Sequence, residues 1–132
     1  MARLFIYGTL MRGFRNEARM DGANFIAVAR TMEARWSMVA AIEAGHYPFP
    51  GVVAGHSFIA GELYEVDGPL LQTLDIFELE GREYVREMLA LEDGKQAAFY
   101  RLILPSPLPL VDTHAQIHYD EAANCYRWIQ ET

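Results

Sequence analysis

Six acidic side chains crowd one stretch of this sequence: Asp67, Asp75, Glu78, Glu80, Glu83 and Glu87. Their spacing separates one from the rest. From Leu70 to Leu79 the pattern is that of a helix, and at about 100° per residue Leu70, Leu71, Leu74 and Phe77 span an apolar arc of about 120°. Glu78 falls inside that arc, between Leu74 and Leu71; Asp75 lies on its edge and Glu80 well outside it. An acid turned toward a core or cleft loses hydration, which raises its pKa toward neutrality. Such a carboxyl can take and return a proton near pH 7. The competing reading is a helix that frays before Glu78 and releases the side chain into water.

Two further segments could serve a ligand. Tyr7-Gly8-Thr9-Leu10 follows a short β-like run, and a glycine there lets the chain turn and present backbone N–H groups to a carboxylate or an oxyanion. Tyr47-Pro48-Phe49-Pro50 sets two aromatics on a stiff segment, whose composition favours a plug at the end of a barrel over a pocket wall.

Other chemistries find less support. His114 and His118 stand four apart, a metal-ligand spacing on a helix, but the preceding residues lack helical periodicity and no third ligand is evident. Cys125, the single cysteine, sits in an Ala-Asn-Cys-Tyr run that suits packing better than nucleophilic attack. Arg12, Arg15 and Arg19, with Arg3, form a local basic patch that could greet an anionic substrate. No Gly-x-Ser-x-Gly, phosphate-binding loop or paired-cysteine zinc motif occurs.

The elements that would position these residues follow from periodicity and punctuation. Leu4–Tyr7 predicts a strand, Met11–Gly22 a loop or weak helix, and Asn24–Ala41 two strands. Gly45–Gly51 carries two prolines and two glycines in seven residues and predicts irregular structure. Ile59–Val66 predicts a strand that closes at Asp67-Gly68-Pro69, where Asp67 can cap the following helix. Tyr84–Leu91 and Gln96–Leu104 predict a hairpin joined through Asp93-Gly94. Pro105–Pro109 predicts the end of the core, and Tyr119–Ala123 a short terminal helix. Six or seven strands with one or two helices make a small α+β sheet or barrel.

With 132 residues, 52% of them apolar, the chain has the size and composition of one ordinary domain. Its net charge of −7 argues against nucleic acid and anionic membranes as partners. No apolar run reaches the ~18 residues of a membrane helix. The start is too weakly apolar for a secretory signal, and a lone cysteine cannot form an internal disulfide, which together predict a reduced, cytoplasmic protein.

Taken in order, several blocks resemble the gamma-glutamylcyclotransferase-like family, also called AIG2-like. They are Tyr7-Gly8-Thr9-Leu10 continued to Asn16, Tyr47-Pro48, Gly61-Glu62-Leu63-Tyr64-Glu65-Val66-Asp67, and Leu74-Asp75-Ile76-Phe77-Glu78 with Tyr84 and Arg86. Tyr100 also fits. The resemblance implies an α+β fold, a small mixed β-barrel flanked by short helices. The resemblance does not cover the residues after Pro105; with the length and the proline run it gives one domain over residues 1–132, with its core in about 1–104 and a tail from 105 to 132. It implies release of 5-oxoproline from a small gamma-glutamyl amine or amide: the glutamyl α-amine attacks its own side-chain carbonyl and the amine beyond leaves. Glu78 would be the general acid/base. Tyr7, Gly8, Thr9, Leu10, Tyr47, Tyr84 and Tyr100 would bind substrate, with no metal or organic cofactor. Many members place glycine directly after the catalytic glutamate, whereas here Leu79 follows and the Glu-Gly pair is Glu80-Gly81. A shifted register would give the role to Glu80. The Leu74-Asp75 spacing and the six-residue step to Tyr84 select Glu78. Neither the leaving amine nor the oligomeric state is indicated. The alternatives are a non-catalytic metabolite-binding module with the same pocket, and metal-dependent hydrolysis through His114 and His118.

Overall fold

A computed structural model describes residues 1–78, 81 and 83–130. Strand β1 (Ala2–Ile6) lies at the centre of the larger sheet, antiparallel to β5 (Phe58–Val66) and parallel to β7 (Gln96–Leu102). Beyond β7 comes β6 (Tyr84–Ala90), and beyond β5 comes β2 (Asn24–Arg30). The two outer strands bend toward each other and meet at one end only. There Thr31 bridges Leu91, the Met32 N–H donates to the Ala90 carbonyl and the Glu92 N–H to that of Arg30. The result is a curled sheet rather than the closed barrel expected, because the ladder between β2 and β6 ends after a single bridge.

A second sheet of three strands packs against the curl: β3 (Trp36–Ala41), β4 (Phe49–Ala54) and β8 (Leu110–Val111). The irregular structure expected through Gly51 is corrected here, since Phe49, Pro50 and Gly51 pair with Ala41, Ala40 and Val39. β4 is an edge of its sheet, where the missing proline N–H breaks no ladder. Gly51 lets Leu102 of the larger sheet pack against the backbone; a Cβ there would stand 2.7 Å from the Leu102 side chain.

The one α-helix among the described residues, α1 (Gly68–Phe77), starts as its sequence requires. The Asp67 carboxylate accepts the Leu70 N–H at 2.8 Å and Pro69 occupies the first turn. Leu71 and Leu74 are buried and plug one side of the curl. The Asp93-Gly94 hairpin forms between β6 and β7, with Gly94 at φ 81°.

Past Pro105 the structure departs from expectation. The segment expected to be a tail with a helix is a hairpin, β9 (Ile117–Asp120) and β10 (Cys125–Trp128), turning at Asn124 with φ 51°. β10 runs parallel to the start of β5, and Trp128 and Cys125 are buried in the core with Leu4, Phe5, Ile59 and Phe99. The packed core therefore extends well beyond residue 104. Burial of the Trp128 side chain outweighs the modest helix preference of Glu-Ala-Ala.

Candidate active site

At the C-terminal end of α1 the chain keeps helical geometry for one more residue. Glu78 caps the helix in the right-handed region, and its N–H donates to the Leu74 carbonyl at 2.9 Å. The helix does not fray before it. Glu78 lines a cavity of about 180 Å³ together with Phe77, Glu83, Tyr84, Tyr100 and the turn Tyr7–Leu10. Burial, helped by the negative charge of Glu83 and opposed by the positive charge of Arg19, pushes the Glu78 carboxyl up to about 7. A carboxyl raised in this way can both accept and return a proton near neutrality.

The facing wall is the turn after β1. Gly8 sits under Pro50 of β4, and a Cβ on it would lie 2.6 Å from the proline Cγ, so only glycine permits this approach. The Gly8 carbonyl accepts the Met11 N–H at 3.1 Å. Asn16 then folds back to bind Thr9 twice, through its backbone N–H at 3.0 Å and its side-chain amide at 2.9 Å. Among the described residues, no hydrogen bond uses the N–H groups of Gly8, Thr9 or Leu10 as donors. A second clamp follows immediately: the Glu62 carboxylate, buried in β5, accepts both the backbone N–H and Nε of Arg12 and the Tyr64 hydroxyl.

Three tyrosines close the inner end, each with its hydroxyl proton given to the protein. Tyr7 donates to the Tyr100 carbonyl at 2.5 Å, Tyr84 to the Pro50 carbonyl at 2.7 Å, and Tyr100 to Asp75 Oδ1 at 2.7 Å. Burial is the main cause that lifts all three hydroxyls far above the ordinary tyrosine range. None ionises at any physiological pH.

Of the residues expected from sequence, the structure brings Glu78, Tyr7, Gly8, Thr9, Leu10, Tyr84 and Tyr100 to one cavity. Tyr47 is not among its walls; the side chain is 62% exposed and packs under the Arg15 guanidinium, 4.6 Å from the ring centroid. Its neighbours Phe49 and Pro50 line the cavity instead. Glu80 lies outside the described residues. The arginines expected to form a patch are dispersed: Arg12 pairs with Glu62, Arg3 with Asp93, Arg19 covers Phe77, and Arg15 lines the cavity. His114 stacks on Trp128 and His118 lies on β9, so the two share no helix. Cys125 is buried and its thiol is pushed up by burial. Glu83, Arg15 and Asn16 were not singled out as wall residues. Of these, only Asn16 lies close in sequence to its partner, seven residues after Thr9.

From residue 4 to residue 122 the sequence matches the family described as Gamma-glutamyl cyclotransferase, AIG2-like. The chain belongs to that family. It is 36% identical over 83 residues to gamma-glutamylaminecyclotransferase of Rattus norvegicus, a match that covers 59% of this chain and 55% of the rat protein. It is 30% identical over 92 residues to the gamma-glutamylcyclotransferase family protein YtfP of Escherichia coli K12, covering 70% of this chain and 75% of that protein. The crystal structure of an AIG2-like protein from Mus musculus superposes over 100% of this chain and 99% of the mouse chain, with a TM-score of 0.65 and 28% identity. In this chain the cavity lies at the meeting of β1, β4 and α1. No helix among the described residues is long and apolar enough to cross a membrane.

Proposed function

We propose that this protein is a cyclotransferase that releases 5-oxoproline from a small gamma-glutamyl amine or amide, with Glu78 as general acid/base. The observation that carries the reading is one carboxyl held near a pKa of about 7 in a cavity that is also lined by Gly8, Thr9 and Leu10, whose N–H groups donate to no partner among the described residues. The ionised Glu78 takes a proton from the substrate's α-ammonium, and the freed amine attacks the γ-carbonyl carbon. As the new C–N bond forms, the carbonyl oxygen gains negative charge, which N–H groups of the Gly8–Leu10 turn can stabilise. Glu78 gives this first proton to the leaving nitrogen, whose bond to carbon then breaks. The carboxylate takes the second proton from the lactam nitrogen and passes it to the released amine, which departs as an ammonium. Attack is intramolecular, so the cavity's main task is to hold the glutamyl chain bent. Its volume of about 180 Å³ suits a glutamyl group and leaves the amine portion toward the opening.

Incubation with a panel of gamma-glutamyl amides, read by 5-oxoproline formation, tests the assignment. Product should appear with at least one amide, and Glu78→Gln should lower kcat by at least about a thousandfold, the upper range of acid–base contributions. Saturable binding without product on any amide would instead make the protein a metabolite-binding module. Undiminished turnover by Glu78→Gln would remove that residue from the reaction.

A further inference from the structure

Tyr100 and Tyr84 reach the cavity from adjacent strands, and the partners of their hydroxyls fix what they can offer a ligand. A tyrosine hydroxyl has one proton to give and lone pairs to receive. The Tyr100 proton is committed to Asp75 Oδ1 at 2.7 Å. The same oxygen is ion-paired with Nε of Arg86 on β6 at 3.0 Å, and an ionised carboxylate has no proton to give back to Tyr100. The Tyr84 proton is committed to the Pro50 carbonyl at 2.7 Å, an acceptor with nothing to donate in return. Both side chains are at most 5% exposed, and both hydroxyls feel the charge of Glu78. Both residues line the cavity, and what each hydroxyl keeps for a further partner is lone pairs.

We propose that Tyr100 and Tyr84, with their protons held by Asp75 and Pro50, form an acceptor subsite beside Glu78 for the primary ammonium of a bound α-amino acid group. The proposal rests on the glutamyl reading of the cavity and adds to it which end of the ligand goes where. At the inner end, the hydroxyl oxygens of Tyr84 and Tyr100 and the Glu78 carboxylate take the ammonium, a group with three N–H donors. The opposite wall, with the backbone N–H groups of Gly8–Leu10, takes oxygen. Asp75 is then a positioning residue. It lies three residues before Glu78 on the same helix, and its bonds to Tyr100 on β7 and Arg86 on β6 anchor the helix end that presents the acid. An amine held between two neutral acceptors can lose its third proton to Glu78 without moving.

The test compares two probes that differ only in the amine: L-glutamine, the smallest gamma-glutamyl amide, and the monoamide of glutaric acid. Each is titrated calorimetrically into Glu78→Gln protein, which stops turnover, with and without Tyr100→Phe or Asp75→Asn. Tyr100→Phe should weaken L-glutamine roughly tenfold or more, the loss of one hydrogen bond to a charged group, and leave the monoamide unchanged. Asp75→Asn, which frees the Tyr100 proton, should act in the same direction on glutamine alone. Equal weakening of both probes would mean that Tyr100 only shapes the wall and would overturn the proposal. Unchanged glutamine binding in Tyr100→Phe would overturn it too while leaving the glutamyl reading intact. If neither probe binds even before the second substitution, both readings fall together.

Discussion

At the scale of single residues, the behaviour of the site depends on the balance of charge around one carboxyl. The Glu78 pKa is raised first by burial and then by Glu83, and Arg19 opposes both. The proposed reaction needs the ionised form as base, so the rate should rise with pH through a midpoint near 7. Glu83→Gln removes a like charge and should shift that acid limb to lower pH in a pH–rate profile, with Arg19→Gln shifting it upward. The same raised pKa costs stability. Below about 4.5, where the acid is protonated in folded and unfolded chains alike, the cost is absent. As pH rises from there to about 7 the unfolded chain ionises first, so stability falls, by about 3 kcal/mol at most. Urea unfolding of Glu78→Gln should therefore match wild type at pH 4 and exceed it at pH 8. Glu78 was legible in the sequence because an apolar arc with one acid in it needs only local geometry. Glu83 was not, since its approach to Glu78 depends on how the chain returns from α1 into β6.

Among the elements, those whose signals are local read correctly, and those decided by distant partners did not. The Asp67 cap with Pro69 marks α1, and Asp93-Gly94 marks the β6–β7 turn, each within a few residues. β4 was hidden because Pro50 and Gly51 break strands in general. They are tolerated where the proline lies on a sheet edge and the glycine makes room for Leu102. The β9–β10 hairpin was hidden because its stability comes from β5 and the core, more than fifty residues away in sequence. Trp128 carries most of that attachment, being 2% exposed. Trp128→Ala should destabilise the whole fold by about 3–5 kcal/mol in equilibrium denaturation, a core-sized loss that no dispensable tail would show. Tyr47 illustrates the converse. Its motif is local, yet the ring ends up stacked on Arg15 outside the cavity while Phe49 and Pro50 form the wall.

The molecule as a whole is a sheet rolled almost shut, with the site against its inner strand and one weak seam. Thr31 and Leu91 hold that seam with two flanking hydrogen bonds, whereas β1 and β5 pair along five residues. Local opening should start at the seam. In native-state hydrogen exchange the amides of Met32 and Glu92 should lose protection well before those of β1 and β5, and a bound ligand at the far side of β1 should leave this difference in place. The curl was not legible from strand counting, because a count of strands carries no information about whether the first and last of them meet.

The hairpin that completes the core also brings Gln130 to the other end of the sequence, where its side-chain amide donates to the Gly13 carbonyl. Residue 13 belongs to the loop that returns Asn16 onto Thr9. During synthesis on a ribosome, then, the loop after β1 is made more than a hundred residues before the side chain that fastens it. A nascent chain halted before residue 125 would have every wall residue already translated and still lack the strand that carries Trp128 into the core.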